Sequence, residues 1–254
     1  MLKQIQNALL AKADKEKARQ LSRFFKTGKG EYGEGDIFLG ITVPEQRLVA
    51  KKYISSCTRS DLIQLLRSKF HEFRLTGLLI LVEQFKTATP VKKKEIVKFY
   101  LANTKSVNNW DLVDLSAYHI LGEYLLENKK EKIILHKLAK SRNLWERRIA
   151  VISTFAFIRE SQFKECLKIA AILLRDKHQL IHKAVGWMLR EIGKRNKQLE
   201  KEFLDKHHKT MPRIMLSYGL EKFTLLEKSC YYNSAKQKSH KFGKLAKFVT
   251  FCRV

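Results

Sequence analysis

Apolar residues in this chain recur every three to four positions, segment after segment, and no stretch alternates cleanly with a period of two. On a helix that spacing lays the apolar side chains along one face, whereas a half-buried strand needs strict alternation. Only Pro44, Pro90 and Pro212 interrupt the pattern. Over 71–86, Phe73, Leu75, Leu78, Leu79, Val82 and Phe85 trace one broad face; over 145–159 the face is Trp145, Ile149, Ile152, Phe155 and Ala156. Over 181–194 it is Ala184, Val185, Met188, Leu189 and Ile192. Polar joints at 87–90, 103–109, 127–130, 141–143 and 176–179 separate helices of similar length. The tryptophans at 110, 145 and 187 are spaced 35 and 42 apart, near the period of a two-helix repeat. The expected fold is all-α, a single curved superhelical domain of stacked helix pairs (an α-solenoid) over 1–232, followed by a basic tail over 233–254.

Charge narrows the partners. Lys and Arg number 51 against 25 Asp and Glu, a formal net charge of +26, with an isoelectric point near 10.0. Such an excess attracts polyanions, and nucleic acid is the foremost of these. The bases are spread through the body, while Lys236, Lys238, Lys241, Lys244, Lys247 and Arg253 in the tail have no acidic neighbours. A duplex-binding surface accounts for both. The cysteines (57, 166, 230 and 252) form no Cys-x-x-Cys pair and no zinc spacing, so they read as reduced thiols of a cytosolic protein. Neither His178/His182 nor His207-His208 has an accompanying ligand set, so no metal and no cofactor is expected. No run of 18 apolar residues occurs, and the N-terminus mixes Asp14 and Glu16 with lysines as an ordinary helix does. The reading is a soluble, cytoplasmic protein.

Segment 26–40 contains a literal Gly-x-Gly-x-x-Gly at Gly28, Gly30 and Gly33. A dinucleotide fingerprint needs a strand before it and a helix directly after it; here a helix precedes and an extended Ile-Phe-Leu-Gly-Ile follows. A glycine-rich connector that lets the backbone turn sharply fits better, with Tyr32 able to lean on a nucleic-acid backbone. At 108–115, Asn108 or Asn109 can cap a helix beginning at Trp110, with Leu112, Val113 and Leu115 on its buried side. Asp111 falls in the first turn, where a carboxylate favours the helix dipole. Asp114 stacks below Trp110 on one face. In so basic a chain it serves either chemistry on a cationic partner or the polar rim of a packed aromatic. Arg147 and Arg148 open an amphipathic helix, and guanidinium suits phosphate well. Lys183, Trp187, Arg190 and Lys194 share one helical stripe, either a nucleic-acid groove or a core tryptophan beside solvated bases.

These segments resemble the AlkD-type alkylpurine DNA glycosylases, the bacterial DNA alkylation repair family built from HEAT-like repeats. The resemblance rests on Phe38-Leu-Gly-Ile with Pro44-Glu-Gln-Arg, on Trp110-Asp-Leu-Val-Asp114, on Trp145-Glu-Arg-Arg148, and on Lys183-Ala-Val-Gly-Trp-Met-Leu-Arg-Glu191. It implies that Asp114 is the catalytic carboxylate and that Trp110 and Trp187 flank the lesion nucleotide. It implies further that Arg148 contacts the DNA backbone, with Tyr32 the N-terminal tyrosine near the DNA. The basic segments themselves make Arg147, Lys183, Arg190 and Lys194 the expected accompanying DNA-binding residues. The implied activity is monofunctional hydrolysis of the glycosidic bond of cationic N3- or N7-alkylated purines in duplex DNA, without base flipping, by a monomer needing no protein partner, no membrane and no cofactor. The setting it implies is the nucleoid of a bacterial cytoplasm.

Two other classes remain open at this level. One is a non-catalytic helical-repeat protein that binds damaged or branched DNA; the other is a repeat scaffold for acidic proteins or RNA. Salt separates the scaffold from a duplex binder. If about 6 phosphates are neutralised, log K for duplex DNA should fall against log salt with a slope of roughly −5, and a flat profile in a fluorescence-anisotropy titration would favour the scaffold.

Overall fold

In the computed structural model, which describes residues 1–236, the sequence pattern becomes helix packed on helix. The chain divides into two units, Met1–Ala156 and Phe157 onward. The tail lysines beyond Lys236, and Cys252, lie outside the described residues.

The first unit holds α1 (Leu2–Leu10), α2 (Lys15–Phe24), α3 (Val43–Tyr53), α4 (Arg59–Leu66), α5 (His71–Lys86), α6 (Pro90–Ala102), α7 (Trp110–Asp114), α8 (Glu123–Glu127), α9 (Ile133–Ala139) and most of α10 (Leu144–Arg159). Its axis is α5, buried on nearly every side and packed by α1, α3, α4, α6 and α7. The middle of α5, over 78–82, is wholly apolar and suits such a centre, while its first turn buries His71, Glu72 and Arg74. Several helices of this unit start at side-chain caps. Asp14 accepts the amides of Glu16 and Lys17 at 3.0 Å, and Thr58 with Asp61 forms a capping box. Asp61 also accepts the Leu2 amide at 3.1 Å, tying α1 to α4. Pro90 opens α6, where its missing N–H costs no hydrogen bond.

The glycine-rich segment is a connector, pinned at its far end. Ile37 pairs with Phe70 in an isolated parallel bridge, and the amides of Leu39, Gly40 and Ile41 all donate to the Glu72 carboxylate at 2.8–3.3 Å. Gly40 has φ +83, and a Cβ there would collide with the Asp14 carbonyl oxygen, so only glycine fits. At the near end, Gly28 and Gly30 donate their amides to Glu31 and Glu34 of the same loop.

The helix expected from Trp110 is one turn long. Ser116 donates to the Leu112 carbonyl and shares a 2.9 Å hydrogen bond with Tyr100, which engages the carbonyl near the end of α7. A π-helical turn, Tyr118–Gly122, follows. Asp114 is therefore the last residue of α7.

The second unit holds α11 (Lys164–Leu173), α12 (Gln179–Gly193), α13 (Lys197–His207), α14 (Arg213–Gly219) and α15 (Leu225–Lys236). Its axis is α12, packed by α11, α13 and α14. A Cβ at Gly186 would overlap backbone of α14, which is why the motif Ala-Val-Gly-Trp carries glycine at the closest approach. His178 caps α12 by accepting the Leu180 amide, and His182 bonds the Asp176 carbonyl, so both serve structure. Cys57 and Cys166 are buried; burial pushes Cys57 up to about 11, leaving it protonated. Among the described residues no helix is long and apolar enough to cross a membrane.

Beneath the end of α12 lies Glu200, 2% exposed, whose Oε1 has no hydrogen-bond partner among the described residues. Burial pushes its carboxyl up to about 8, and Lys197 and Arg190 oppose this only in part. The folded chain thus keeps a proton that the unfolded chain releases above its ordinary value of 4.5, and stability falls as pH rises from there through about 8. Glu200→Gln should remove that decline. Calorimetric melting should show the variant's advantage over wild type widening between about pH 5 and about pH 8, and a constant gap would contradict the assignment.

Candidate active site

The start of α10 is fixed before its arginines are placed. Asn143 Oδ1 accepts the Trp145 amide at 2.9 Å, and Glu146 is held by Ser141 and by Thr104, the latter at 2.8 Å. One turn in, Arg148 reaches α7: its Nε donates to Asp114 Oδ1 at 2.9 Å and its Nη2 to Oδ2 at 2.7 Å. This is a two-pronged guanidinium–carboxylate fork, the strongest ion-pair geometry side chains offer. Its members are 6% and 15% exposed, so Arg148 is buried and the Asp114 side chain keeps only a small exposure. Burial pushes the Asp114 carboxyl above its ordinary range, the Arg148 charge and hydrogen bonds pull against that, and nearby Asp111 adds to the rise.

Aromatic rings gather on the same side. The half-buried Trp110 ring stacks on Phe25, centroids 5.1 Å apart and planes within 10°. Phe24 meets it edge-on at 6.0 Å and is itself 64% exposed. Tyr32 stands edge-on to the buried Trp145 at 6.2 Å. Burial raises its hydroxyl pKa, with Trp110 hydrogen bonding opposing and the charges of Asp111 and Arg148 within reach. The first unit thus brings Tyr32, Trp110, Asp114 and Arg148 into one neighbourhood. Arg147 turns the other way, donating at 3.0 Å to the carbonyls of Ser141 and Arg142.

Asp111 does more than favour a helix dipole. Its Oδ1 accepts the Leu112 amide at 2.9 Å while Oδ2 meets His71 Nε2 at 2.8 Å in the interior. Nothing in the sequence pattern alone singles out Phe24, Phe25, Asp36 and His71. The available signals were a Phe-Phe pair at a helix end beside the glycine segment and isolated charged residues next to apolar stripes.

In the second unit, Trp187, Arg190 and Lys194 converge on Glu191. The Trp187 indole donates to Glu191 Oε1 at 3.3 Å, Lys194 donates to the same oxygen at 2.6 Å, and Arg195 contributes at 3.4 Å. Arg190 pairs with Glu221 and lies 3.7 Å from Glu191. Burial pushes Glu191 up, but the hydrogen bonds and charges of Lys194, Arg195 and Arg190 outweigh it and hold the carboxyl below its usual value. Lys183 is half-buried on the same helix. Among the described residues no group of three or more His, Cys, Asp or Glu side chains stands where it could hold a metal ion.

Residues 5–223 match the model of a family described as DNA alkylation repair enzyme. Among solved structures, a predicted DNA alkylation repair enzyme from Enterococcus faecalis is 17% identical with a TM-score of 0.66, covering 84% of this chain and 98% of that one. AlkD2 from Streptococcus mutans is 20% identical with a TM-score of 0.50, covering 88% and 97%. At these identities the likeness is one of fold. A search of the curated proteins finds no match.

The fork makes a stability prediction. Arg148→Ala would leave the Asp114 carboxylate largely buried with no partner, at a cost of about 3–5 kcal/mol in urea unfolding, and Arg148→Met with Asp114→Leu should recover most of it. A single variant as stable as wild type would refute the buried pair.

Proposed function

This chain belongs to the DNA alkylation repair enzyme family, and from that footing we propose that it is a monofunctional N-glycosylase releasing cationic N3- or N7-alkylated purines from duplex DNA without flipping the lesion out of the helix. The observation that carries the proposal is the Asp114 carboxylate, held in the Arg148 fork beside Trp110 on a side chain that is not wholly buried.

Alkylation at N3 or N7 makes the purine positive and a good leaving group, so no base nitrogen must be protonated for the glycosidic bond to break. What the enzyme has to supply is stabilisation of positive charge developing on the deoxyribose. A fixed carboxylate in a site partly shielded from water is suited to that task. Asp114 also orients the water that attacks the sugar and accepts its proton. Arg148 has two functions in this reading. It favours the ionised form of Asp114 against burial, and it offers its charge to a DNA phosphate. When a phosphate shares that charge, the carboxylate is less neutralised and acts more strongly on the sugar. The face of Trp110 not covered by Phe25 contributes about 0.5–2 kcal/mol of attraction for a cationic base or sugar. Tyr32 lies along the backbone path. In the second unit we assign Trp187, Lys183, Arg190 and Lys194 to DNA contact, with Glu191 holding three of them in position. The protein acts as a monomer on duplex DNA.

The test is release of 7-methylguanine from a methylated duplex. Wild type should release it, and Asp114→Asn, whose amide oxygen can still accept from Arg148, should lose about 10²-fold or more in single-turnover rate. No release by wild type, or full release by the variant, overturns the proposal; tight binding of branched DNA with no release would mark a binding protein instead.

A further inference from the structure

Helix α7 is five residues long, far below the length at which a helix holds itself together. Tertiary bonds must keep Trp110 and Asp114 in place. Deep in the first unit, His71 Nε2 meets Asp111 Oδ2 at 2.8 Å and His71 Nδ1 meets Asp36 Oδ2 at 3.0 Å. Asn109, directly before α7, donates to the same Asp36 oxygen at 3.1 Å, and Arg74 donates to the other at 2.6 Å. All five residues are buried. The rings repeat the connection: Phe38 stacks on His71 at 4.5 Å, Phe25 stacks on Phe38 at 4.9 Å, and Phe25 also stacks on Trp110. His71 therefore reaches Trp110 twice, through the neighbouring Asp111 and through a column of aromatic rings.

We propose that His71 is the positioning residue of this site, its ring bonded at both nitrogens so that α7 is locked to the end of the glycine-rich segment and the plane of Trp110 and the aim of Asp114 are set. The inference rests on the reading of Trp110 and Asp114 as the reacting face. Both partners of the ring are carboxylates, which only accept, so both bonds exist only while His71 carries two ring protons. The charged groups around it are Asp36 from the loop, Asp111 from α7, Arg74 and Glu72 from its own helix, and Lys17 from α2. Lys17 borders the same cavity of about 430 Å³ as His71 and Asp111; the rings of Phe25 and Phe38 bring no charge. Burial pushes the His71 pKa down, but Asp111 and Asp36 outweigh it and lift it to about 9. A raised histidine value stabilises the fold fully below its ordinary value of 6.5, and that stabilisation is lost as pH rises through about 9. Above that, one carboxylate faces a bare ring nitrogen in the interior, and α7 loses an anchor.

The free full-length protein tests this without any substrate. Long-range ¹⁵N spectra of the histidine rings should show His71 doubly protonated through about pH 8 and titrating near 9, with the Trp110 indole N–H resonance shifting in the same transition. In Asp111→Asn the side-chain amide can donate to a neutral ring, and the alkaline shift of the Trp110 signal should vanish. His71→Gln keeps one donor and should lower kcat for 7-methylguanine release about 10²-fold while leaving affinity for the duplex unchanged. A His71 that titrates near 6.5, a Trp110 signal indifferent to that titration, or a Gln variant with wild-type kcat would overturn the proposal. If the Gln variant does not fold, the titrations of wild type and Asp111→Asn still decide. A wild type that shows the coupled titration but releases no base would defeat the glycosylase reading and leave the locking role of His71 standing.

Discussion

A charge moved from water into a protein interior loses solvation worth several kcal/mol even after relaxation, so it persists only where an opposite charge or a set of donors replaces the water. The first unit solves this in two adjoining places. Asp36, His71, Arg74 and Asp111 form one closed set, and Asp114 with Arg148 forms the other. Each set joins segments far apart in sequence: loop to α5 to α7, and α7 to α10. The five-residue α7 is thus gripped from both sides, and the residues proposed to face the lesion inherit their geometry from buried electrostatics more than from helix propensity. In the second unit Glu191 has a similar organising part, drawing in Trp187, Arg190, Lys194 and Arg195. Glu200 is the contrary case, a carboxyl whose burial is not balanced by a partner and which therefore keeps its proton.

Net charge acts on another scale. Most Lys and Arg side chains among the described residues are exposed, where ion pairs such as Lys92–Glu95 and Lys86–Glu83 add little stability. A surface of that kind attracts a polyanion and holds it loosely, with salt-sensitive contacts. Asp114 differs from those exposed carboxylates in being mostly buried and held by a buried arginine.

Much of the helical architecture could be read from the sequence because its signal is local. The 3.6-residue period gave α5 to its observed bounds and α10 and α12 to within two residues at either end, and the glycine segment was legible as a turn because a strand–helix frame was missing. The site was legible only in part. That Trp110 and Asp114 share a helical face follows from a four-residue spacing, but the Arg148 fork spans 34 residues and depends on where α10 packs. The brevity of α7 leaves no mark on periodicity, nor does the tertiary bond between Ser116 and Tyr100 just beyond its end. Phe25 and His71 looked like ordinary core residues, since nothing in a stripe of apolar positions tells which ring will stack beneath a functional one. The basic stripe on α12 was visible as charge, while its convergence on Glu191 was not.

The three successive amides of Leu39, Gly40 and Ile41 form a concave array of donors of the kind that elsewhere captures phosphate, and here the Glu72 carboxylate occupies it. The protein has supplied its own anion to its own nest. Backbone donors at this turn are therefore committed to holding the fold, and a DNA phosphate gains no purchase there. In the proposed reading, contact with the duplex is then left to side chains, among them those that Glu191 gathers on α12.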